Sequence, residues 1–271
     1  MTRPISLAAL TVLELAPPDM VTCAAEAGFS HVGIRLLPAT PTEPQYDLVG
    51  DTPLLRDLER RLADTGVKVL DVEIFRMKPE TRVADYEAAV ATAARLGASD
   101  LLVAGNDPEE ARLADTFAAF CDLAAGYGLS AGLEFMPWTD AKDLPQAARI
   151  VERSGRDNAG VLIDPFHLSR SRSRIEDIAS IPPSRLRFMQ FCDVPAQIPP
   201  TMDAILAEAR AERLFPGEGG LDLLGLLRAV PRDIPLSIEA PTQALARTVG
   251  ATERARRALA ATRRVLAQVD A

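Results

Sequence analysis

Residues 160–167 read Gly160-Val161-Leu162-Ile163-Asp164-Pro165-Phe166-His167, and this stretch decides the fold. Four apolar or small residues lead directly into an acid, a proline and a histidine. A continuous apolar run is typical of a parallel strand that is buried on both faces. In a barrel of parallel strands, a polar side chain at the C-terminal end of a strand lies at the mouth, where active sites are built. The stretch therefore predicts a buried strand that delivers Asp164 to such a mouth.

Three further stretches end in the same way, with an apolar residue followed by a polar one. They are Leu133-Glu134, Met189-Gln190 and Ile238-Glu239. Four consecutive strands would then bring Glu134, Asp164, Gln190 and Glu239 to one rim. Because three carboxylates and an amide oxygen are hard oxygen ligands, this set favours Mg²⁺ or Mn²⁺ over an ion that prefers thiolates. We interpret the four residues as the ligands of one divalent metal ion.

An ion-pair network without a metal is the alternative interpretation of these acids. Isolated buried carboxylates cost too much free energy to stay unpaired, so a cation must lie among them. The sequence offers Arg35, Arg76 and Arg213 for this role. If the three arginines converge, an anionic substrate is favoured, because planar guanidinium groups match carboxylate and phosphate geometry.

Strand and helix patterns alternate eight times without a change in composition, which favours a closed (β/α)₈ barrel. The predicted strands span residues 5–11, 31–37, 67–75, 100–104, 129–135, 159–164, 186–191 and 235–239. Residues 242–269 are predicted to form a terminal helix. Because successive strand residues point to opposite faces, Arg35, Asp71 and Glu73 are expected to face inward with the rim residues.

Length and composition limit the class of protein. The chain has 271 residues, 48% of them hydrophobic, which suits a single α/β domain over residues 1–271. Its net charge of -8 gives no overall positive field that would favour nucleic acid or anionic lipid as a partner. Three scattered cysteines suit a reducing compartment, and neither a secretory signal nor a run of about 20 apolar residues is found. We expect a cytoplasmic protein without membrane contact, and a homo-oligomer is compatible with the sequence.

The predicted metal site suits chemistry on the carbon next to a carbonyl group. A divalent ion could hold a hydroxyketone through adjacent oxygens and stabilise the enediolate that forms when an α-proton leaves. Glu134 and Glu239, which approach from different strands, could then move protons on opposite faces of the bound carbon. We expect His167 to contact the substrate or to transfer a proton, and Trp138 to form a wall of the pocket.

These motifs resemble those of the xylose isomerase-like TIM barrel superfamily, often described as sugar phosphate isomerases and epimerases. The resemblance covers nearly the whole chain and is carried by Leu133-Glu134, Ile163-Asp164-Pro165-Phe166-His167, Arg213-Leu214-Phe215-Pro216-Gly217-Glu218-Gly219 and Ser237-Ile238-Glu239. It implies that Glu134 and Glu239 are metal ligands and also the acid and base. It further implies that Asp164 is a ligand and that His167 and Arg213 contact substrate oxygens.

Gln190 departs from the epimerases of that superfamily, whose third ligand is usually histidine. The run Gln190-Phe191-Cys192-Asp193-Val194-Pro195, together with Phe75-Arg76, resembles the isomerase-like domain of bacterial 3-dehydroshikimate dehydratases instead. Those enzymes also use Glu, Asp, Gln and Glu, and their reaction also begins with removal of an α-proton beside a ketone. Loss of water then follows.

Other functions of this fold are less consistent with the sequence. The three lysines, Lys68, Lys78 and Lys142, do not lie at an inward strand end, which disfavours a Schiff-base aldolase. Two histidines and a net negative charge disfavour the DNA-repair endonucleases of the superfamily. The glycines at 217, 219 and 220 could approach a phosphate, but a glycine-rich loop alone is weak evidence.

The leading prediction is therefore an enzyme, a metal-dependent isomerase or epimerase. It would act on a small polyhydroxy ketone or aldehyde, neutral or anionic, through a metal-stabilised enediolate. A dehydratase (a lyase) of the 3-dehydroshikimate kind and a non-catalytic binding barrel are the alternatives. One divalent ion is expected as cofactor, Mn²⁺ or Mg²⁺, with Co²⁺ and Zn²⁺ as further candidates.

Overall fold

The computed structural model describes residues 3–269. Met1, Thr2, Asp270 and Ala271 lie outside the described residues, so the predicted extent of the domain over residues 1–271 stays a prediction. The eight strands in residues 3–269 are β1 Ile5–Ala8, β2 His31–Arg35, β3 Lys68–Met77, β4 Asp100–Gly105, β5 Ser130–Glu134, β6 Ala159–Ile163, β7 Leu186–Phe191 and β8 Leu236–Ile238. The α-helices of the same part of the chain are α1 Pro17–Ala27, α2 Pro53–Thr65, α3 Glu87–Arg95, α4 Glu110–Gly126, α5 Leu144–Ser154, α6 Pro165–Arg170, α7 Met202–Ala211, α8 Leu223–Ala229, α9 Gln243–Ala246 and α10 Ala251–Val269.

The strands form one closed barrel in which each strand pairs in parallel with the next along the chain. β8 closes the barrel against β1, with Ser6 opposite Ser237. Parallel neighbours require a crossover connection, and helices supply it on the outside of the barrel. The predicted (β/α)₈ fold is therefore confirmed, and the C-terminal ends of all eight strands meet at one face.

Three differences from the predicted elements affect the active-site face. The first strand ends at Ala8, and a 3₁₀ helix over Ala9–Val12 follows it. The short helix α6 begins directly after β6, where the sequence analysis predicted no helix. The predicted terminal helix is interrupted, because α9 and α10 are separate helices.

Apolar side chains form two clusters on either side of the barrel wall. The larger cluster lies between the strands and the helices and contains outward-facing residues such as Leu133, Val161 and Ile163. The smaller cluster lies inside the barrel and consists of Leu70, Ile74, Leu102, Ala104, Met136, Leu162 and Phe188, contributed by β3 to β7. The interior beside β8, β1 and β2 is polar instead. The lumen thus has an apolar side and a polar side.

Strand β3 contributes to both sides because its register shifts twice, once against β2 and once against β4. Such bulges place two consecutive residues on one face. Asp71 therefore lies against the inner face of Gly33, and Glu73 pairs with Arg35, while Leu70 and Ile74 join the inner apolar cluster. The predicted inward positions of both acids agree with this arrangement.

No helix within residues 3–269 is long and apolar enough to cross a lipid bilayer.

Replacing Gly160 of β6 with alanine is expected to destabilise the barrel. A Cβ atom at this position would lie 2.7 Å from the backbone oxygen of Arg185, which cannot move without distorting the start of β7. We expect Gly160→Ala to lower the free energy of unfolding by about 1–3 kcal/mol in urea denaturation. Gly126→Ala, in α4, is the matched control because no atom lies within 4 Å of the added carbon. Equal stability of the two variants would contradict the prediction.

Candidate active site

Four strand ends bring the predicted rim residues together at the mouth of the barrel. Glu134 is the last residue of β5, Asp164 follows β6, Gln190 lies in β7 and Glu239 follows β8. All four side chains are buried, with residue exposures between 0% and 4%. In each of these strands, the apolar residue just before the polar one faces outward and packs against the helices. Because successive strand residues point to opposite faces, the polar side chain that follows points inward.

The start of α6 sets the geometry of Asp164 and His167. Asp164 is the N-cap residue, and its Oδ1 accepts a hydrogen bond of 2.7 Å from the backbone N–H of Phe166. His167 lies three residues later on the same side of the helix, with its Nε2 3.6 Å from Asp164 Oδ2 and 3.6 Å from Glu134 Oε1. One ligand atom from each of these three residues lies within 4.8 Å of the others. The group could hold a metal ion.

Gln190 and Glu239 form the other half of the rim. The side-chain Nε2 of Gln190 donates a hydrogen bond of 3.0 Å to Glu239 Oε1. The opposite amide atom, Gln190 Oε1, is buried and has no hydrogen-bond partner within residues 3–269. The assignment of N and O in an amide follows from such bonds. In this orientation the Gln190 amide donates a hydrogen bond to the Glu239 carboxylate, and the Gln190 oxygen remains free to bind a ligand.

Arg213 lies among the rim acids with a residue exposure of 3%. Its Nη1 is 2.8 Å from Asp164 Oδ2 and 3.0 Å from Glu239 Oε2. Its Nε donates to the backbone oxygen of Ala209, and its guanidinium carbon lies 4.7 Å from the ring centre of Phe166. The ion-pair alternative considered from the sequence is thus realised for Asp164 and Glu239. The structure places Arg213 as a partner of these acids.

Glu134 differs from the other two acids because no arginine among residues 3–269 pairs with it. Its Oε1 is buried without a hydrogen-bond partner among the described residues, as is Nδ1 of His167. Buried polar atoms are nearly always hydrogen-bonded in native proteins, so unpartnered ones indicate a place for a ligand, an ion or water. The carboxylate of Glu134, the carboxylate of Asp164 and the unused oxygen of Gln190 are the donor types that a hard divalent ion requires. Glu134 and Asp164 therefore fit the predicted metal ion together with His167, whereas Glu239 lies outside the group of ligand atoms that are within 4.8 Å of one another.

Burial and neighbouring charges shift the pKa values of the rim side chains in different directions. It raises the pKa of Glu134 well above the usual value, and repulsion by Glu239 and Asp164 adds to this effect. Burial also raises the pKa of Glu239, to about 7, although Arg213 opposes the shift. For Asp164 the cost of burial is outweighed by the attraction of Arg213, which leaves its pKa below the usual value. Burial lowers the pKa of His167 to about 3, so its imidazole is neutral.

Arg35 and Arg76 occupy different electrostatic environments at the mouth. Arg35 pairs with Glu43 at 3.1 Å and with Glu73 at 3.2 Å. Burial disfavours its charge, but these two acids outweigh burial and raise its pKa. Arg76 donates only to neutral oxygens, at 3.0 Å to Asn106 Oδ1 and at 3.1 Å to a backbone oxygen, and burial lowers its pKa. Within residues 3–269, Arg76 has no carboxylate inside 4 Å.

A cavity of about 70 Å³ opens above these residues. Trp138 lines it, and its ring stands edge-on to His167, with the ring centres 5.1 Å apart. All five predicted substrate contacts line the cavity, namely Arg35, Arg76, Arg213, His167 and Trp138. Glu134 and Glu239 also line the cavity, whereas Asp164 and Gln190 are not part of its lining.

Several residues of the mouth were missed by the sequence analysis. Glu43 lies in the loop after β2, Asn106 follows β4 and Arg210 is near the end of α7. No local pattern in the segment after β2 indicates that Glu43 folds back onto Arg35. Phe166 was quoted only as part of the β6 motif, and its contact with Arg213 depends on α6.

The glycine-rich loop after α7 does not offer its amides to a phosphate. Asp193 accepts hydrogen bonds from the backbone N–H groups of Gly217 at 3.1 Å, Gly219 at 3.0 Å and Leu221 at 3.1 Å. A side chain at Gly219 would clash with the Asp193 carboxylate. The Asp193 carboxylate thus occupies the position that a bound anion would take. The glycines allow the loop backbone to approach this carboxylate closely.

Removal of the Arg213 charge is expected to destabilise the protein strongly. Arg213→Met would leave Asp164 and Glu239 buried without a compensating cation, which costs about 3–5 kcal/mol. Urea denaturation in a metal-free buffer measures the loss. Arg210→Met is the control, because Arg210 is exposed and makes no hydrogen bond or ion pair with any described residue. A wild-type midpoint for Arg213→Met would show that the pairing contributes little.

The sequence and the fold resemble known proteins. Residues 21–265 match the family described as xylose isomerase-like TIM barrel. The chain is 31% identical over 238 residues to a 3-dehydroshikimate dehydratase of Pseudomonas aeruginosa, which covers 82% of this chain and 36% of that protein. It is 30% identical over 119 residues to an inosose isomerase of Bacillus velezensis, which covers 43% of this chain and 40% of that protein. The chain therefore spans less than half the length of these curated relatives.

Among solved structures, the IOLI protein with a bound zinc atom has a TM-score of 0.80 to this chain at 20% identity, over 98% of this chain and 99% of that protein. At this identity the likeness concerns the fold. The named relatives are enzymes, and the predicted resemblance is confirmed by the family match over most of the chain. The chain belongs to the xylose isomerase-like TIM barrel family.

Proposed function

We propose that the protein is an enzyme that removes a proton from the carbon next to a carbonyl group of a small polyhydroxylated substrate. The observation that carries this proposal is the buried carboxylate of Glu134. It lines the cavity, no arginine of the described residues pairs with it within 4 Å, and one of its oxygens has no hydrogen-bond partner in that part of the chain. A carboxylate with a free oxygen in a water-poor cavity is suited to accept a proton from a bound carbon acid.

Glu134, Asp164, Gln190 and Glu239 would hold one divalent metal ion, with His167 as a further nitrogen donor beside Glu134 and Asp164. When bound, the ion would stabilise the negative charge that develops on the carbonyl oxygen. Mn²⁺ and Mg²⁺ suit the oxygen donors best. Because an imidazole is also present, Zn²⁺ and Co²⁺ are further candidates for the metal ion. Arg213 would share Asp164 and Glu239 with the ion.

Individual side chains of the site transfer protons and bind the substrate. Glu134 takes the proton from the carbon, and Glu239 faces the bound substrate from the far side of the rim, where it can return a proton. His167 contacts a substrate hydroxyl, and Trp138 orients the imidazole by edge-on contact at 5.1 Å. Arg76 receives an anionic group of the substrate, because it donates to neutral oxygens and no carboxylate of the described residues lies within 4 Å of it.

Loss of water is the favoured completion of the reaction. The similarity to a 3-dehydroshikimate dehydratase extends over 82% of the chain, and Arg76 offers a partner for the carboxylate of such a substrate. Isomerisation or epimerisation is the second candidate, supported by the match to inosose isomerase over 43% of the chain. The two share the first proton transfer and differ in whether a hydroxyl group leaves.

Incubation of the metal-loaded protein with 3-dehydroshikimate separates the two candidates. Growth of aromatic absorbance is expected for the dehydratase. Absence of that signal, together with deuterium incorporation from D₂O into a ketose or an inosose, would assign the protein to the isomerases. A failure of both assays over a panel of keto acids and ketoses would contradict the proposed first step.

Replacement of Glu134 by glutamine is expected to lower the rate of proton exchange by about 10²- to 10⁴-fold, because the amide cannot accept the proton. NMR detection of deuterium uptake at the substrate α-carbon measures the rate. Glu218→Gln is the control, because Glu218 is exposed in the loop after α7. Retention of the wild-type rate by Glu134→Gln would assign the base to another residue.

Addition of Mn²⁺ is expected to raise the thermal unfolding temperature. An ion that binds only the folded state adds about 2.7 kcal/mol of stability when its concentration is 100 times the dissociation constant. Differential scanning fluorimetry measures the shift, and EDTA should reverse it. Glu134→Gln and Asp164→Asn should each reduce the shift, whereas Glu218→Gln should retain it. If no divalent ion changes the unfolding temperature of the wild-type protein, the predicted metal site is wrong.

A further inference from the structure

A groove of about 590 Å³ runs beside the mouth on the same face of the barrel. It is formed by segments that follow β1, β2 and β8, together with the ends of α7 and α10. Leu10 and Arg210 line both this groove and the active-site cavity, so the two spaces are adjacent. The cavity itself holds only about 70 Å³. The groove therefore offers room for a part of a substrate that extends beyond the reacting carbons.

The charge of the groove is opposite to that of the whole protein. Three arginines line it, Arg210, Arg247 and Arg254, against one acid, Glu14, in a chain of net charge -8. Glu14 is already paired with Arg254, whose other terminal nitrogen donates to a backbone oxygen at 2.9 Å. Arg210 and Arg247 are exposed and make no ion pair with any residue between 3 and 269. A local positive field surrounded by negative charge attracts anions.

Unpartnered polar atoms and an apolar floor complete the groove. The Nε of Arg254 and the Oγ1 of Thr242 are buried without hydrogen-bond partners among the described residues, and Arg254 as a whole is only 2% exposed. Leu13, Pro44 and Pro241 line the groove between the charged groups. The lining therefore combines apolar surface, which suits a spacer, with guanidinium donors, which suit a carboxylate or a phosphate group.

We propose that this groove is a second subsite, which binds a carboxylate or phosphate group at the far end of an elongated substrate whose carbonyl end lies at the rim acids. The inference rests on the proposed function and specifies its substrate class, an organic acid or phosphate ester with a spacer between the acidic group and the carbonyl group. Arg247 contacts the distant anion, and Arg210, which lines both spaces, contacts it from the side of the mouth. Arg76 contacts groups at the reacting end.

Binding of inorganic pyrophosphate to the free protein tests the subsite without any turnover. Isothermal titration calorimetry at constant ionic strength is expected to show binding by the wild-type protein. Because a charge-assisted hydrogen bond is lost, Arg247→Gln and Arg210→Gln should each weaken binding by about tenfold. Arg76→Gln, which removes a charge at the reacting end, should weaken binding less than Arg247→Gln does. Arg228→Gln, which removes an exposed and unpaired arginine of α8, is the matched control.

Two results would overturn the subsite. One is the absence of pyrophosphate binding, or equal affinity in the wild-type, Arg247→Gln and Arg210→Gln proteins. The other is loss of binding in Arg76→Gln but not in Arg247→Gln, which would place the anion at the mouth alone. Thermal unfolding of each variant shows that it is folded. Since the titration requires no reaction, a failure of proton exchange would count against the proposed function and leave the result on the groove intact.

Discussion

Three buried carboxylates on one rim impose the constraint on which the site depends. Glu134, Asp164 and Glu239 are each at most 4% exposed, and their mutual repulsion in a medium of low polarity is costly. Arg213 compensates two of them through one nitrogen, and it is itself held by a backbone oxygen and by the ring of Phe166. The remaining acid, Glu134, has no such partner among residues 3–269. The chemistry we propose uses this imbalance.

The division of the barrel interior contributes to that imbalance. The inner apolar cluster, with Leu102, Leu162 and Phe188, lies on the side of β4 to β7, from which Glu134 and Asp164 project. The polar side contains Arg35 and Glu73, which neutralise each other. Electrostatic interactions are stronger where few polar groups are near, so the acid on the apolar side is the more strongly perturbed one. The different surroundings of Glu134 and Glu239 follow from which strands carry them.

The fold also separates the reaction site from the surface that surrounds it. The rim residues are attached to strands and to the first turn of α6, which hold them rigidly, whereas the groove is formed by the segments that follow β1, β2 and β8. Connecting segments of this kind vary more readily than strands, and substrate preference in barrel enzymes depends on them. Related barrels with the same rim acids can therefore differ in what they bind. Of the arginines that line the groove, Arg247 lies in such a segment, whereas Arg210 and Arg254 belong to α7 and α10.

The sequence alone determined the barrel, the family and the residues of the rim. Apolar runs that end in a polar residue identified the last four strands, because the strand period and the burial of both faces leave a local signature at Glu134, Asp164, Gln190 and Glu239. The roles of those residues stay predictions. The sequence did not indicate α6, because a helix of six residues has too few turns to show a period, and its N-cap Asp164 also ends a strand.

The tertiary structure decided which charges meet. From the sequence, Arg213 could bind the substrate or pair with the buried acids. Only the folded chain brings its Nη1 to 2.8 Å from Asp164, a residue 49 positions away. The loop after β2 contacts both Arg35 and Arg76, but only Arg35 pairs with its carboxylate, on Glu43, whereas Arg76 donates to the backbone oxygen of Ala39. The bulges of β3 likewise arise from pairing with two different neighbours. Local patterns encode the period and burial of a segment, whereas contacts between distant segments depend on the closure of the whole barrel.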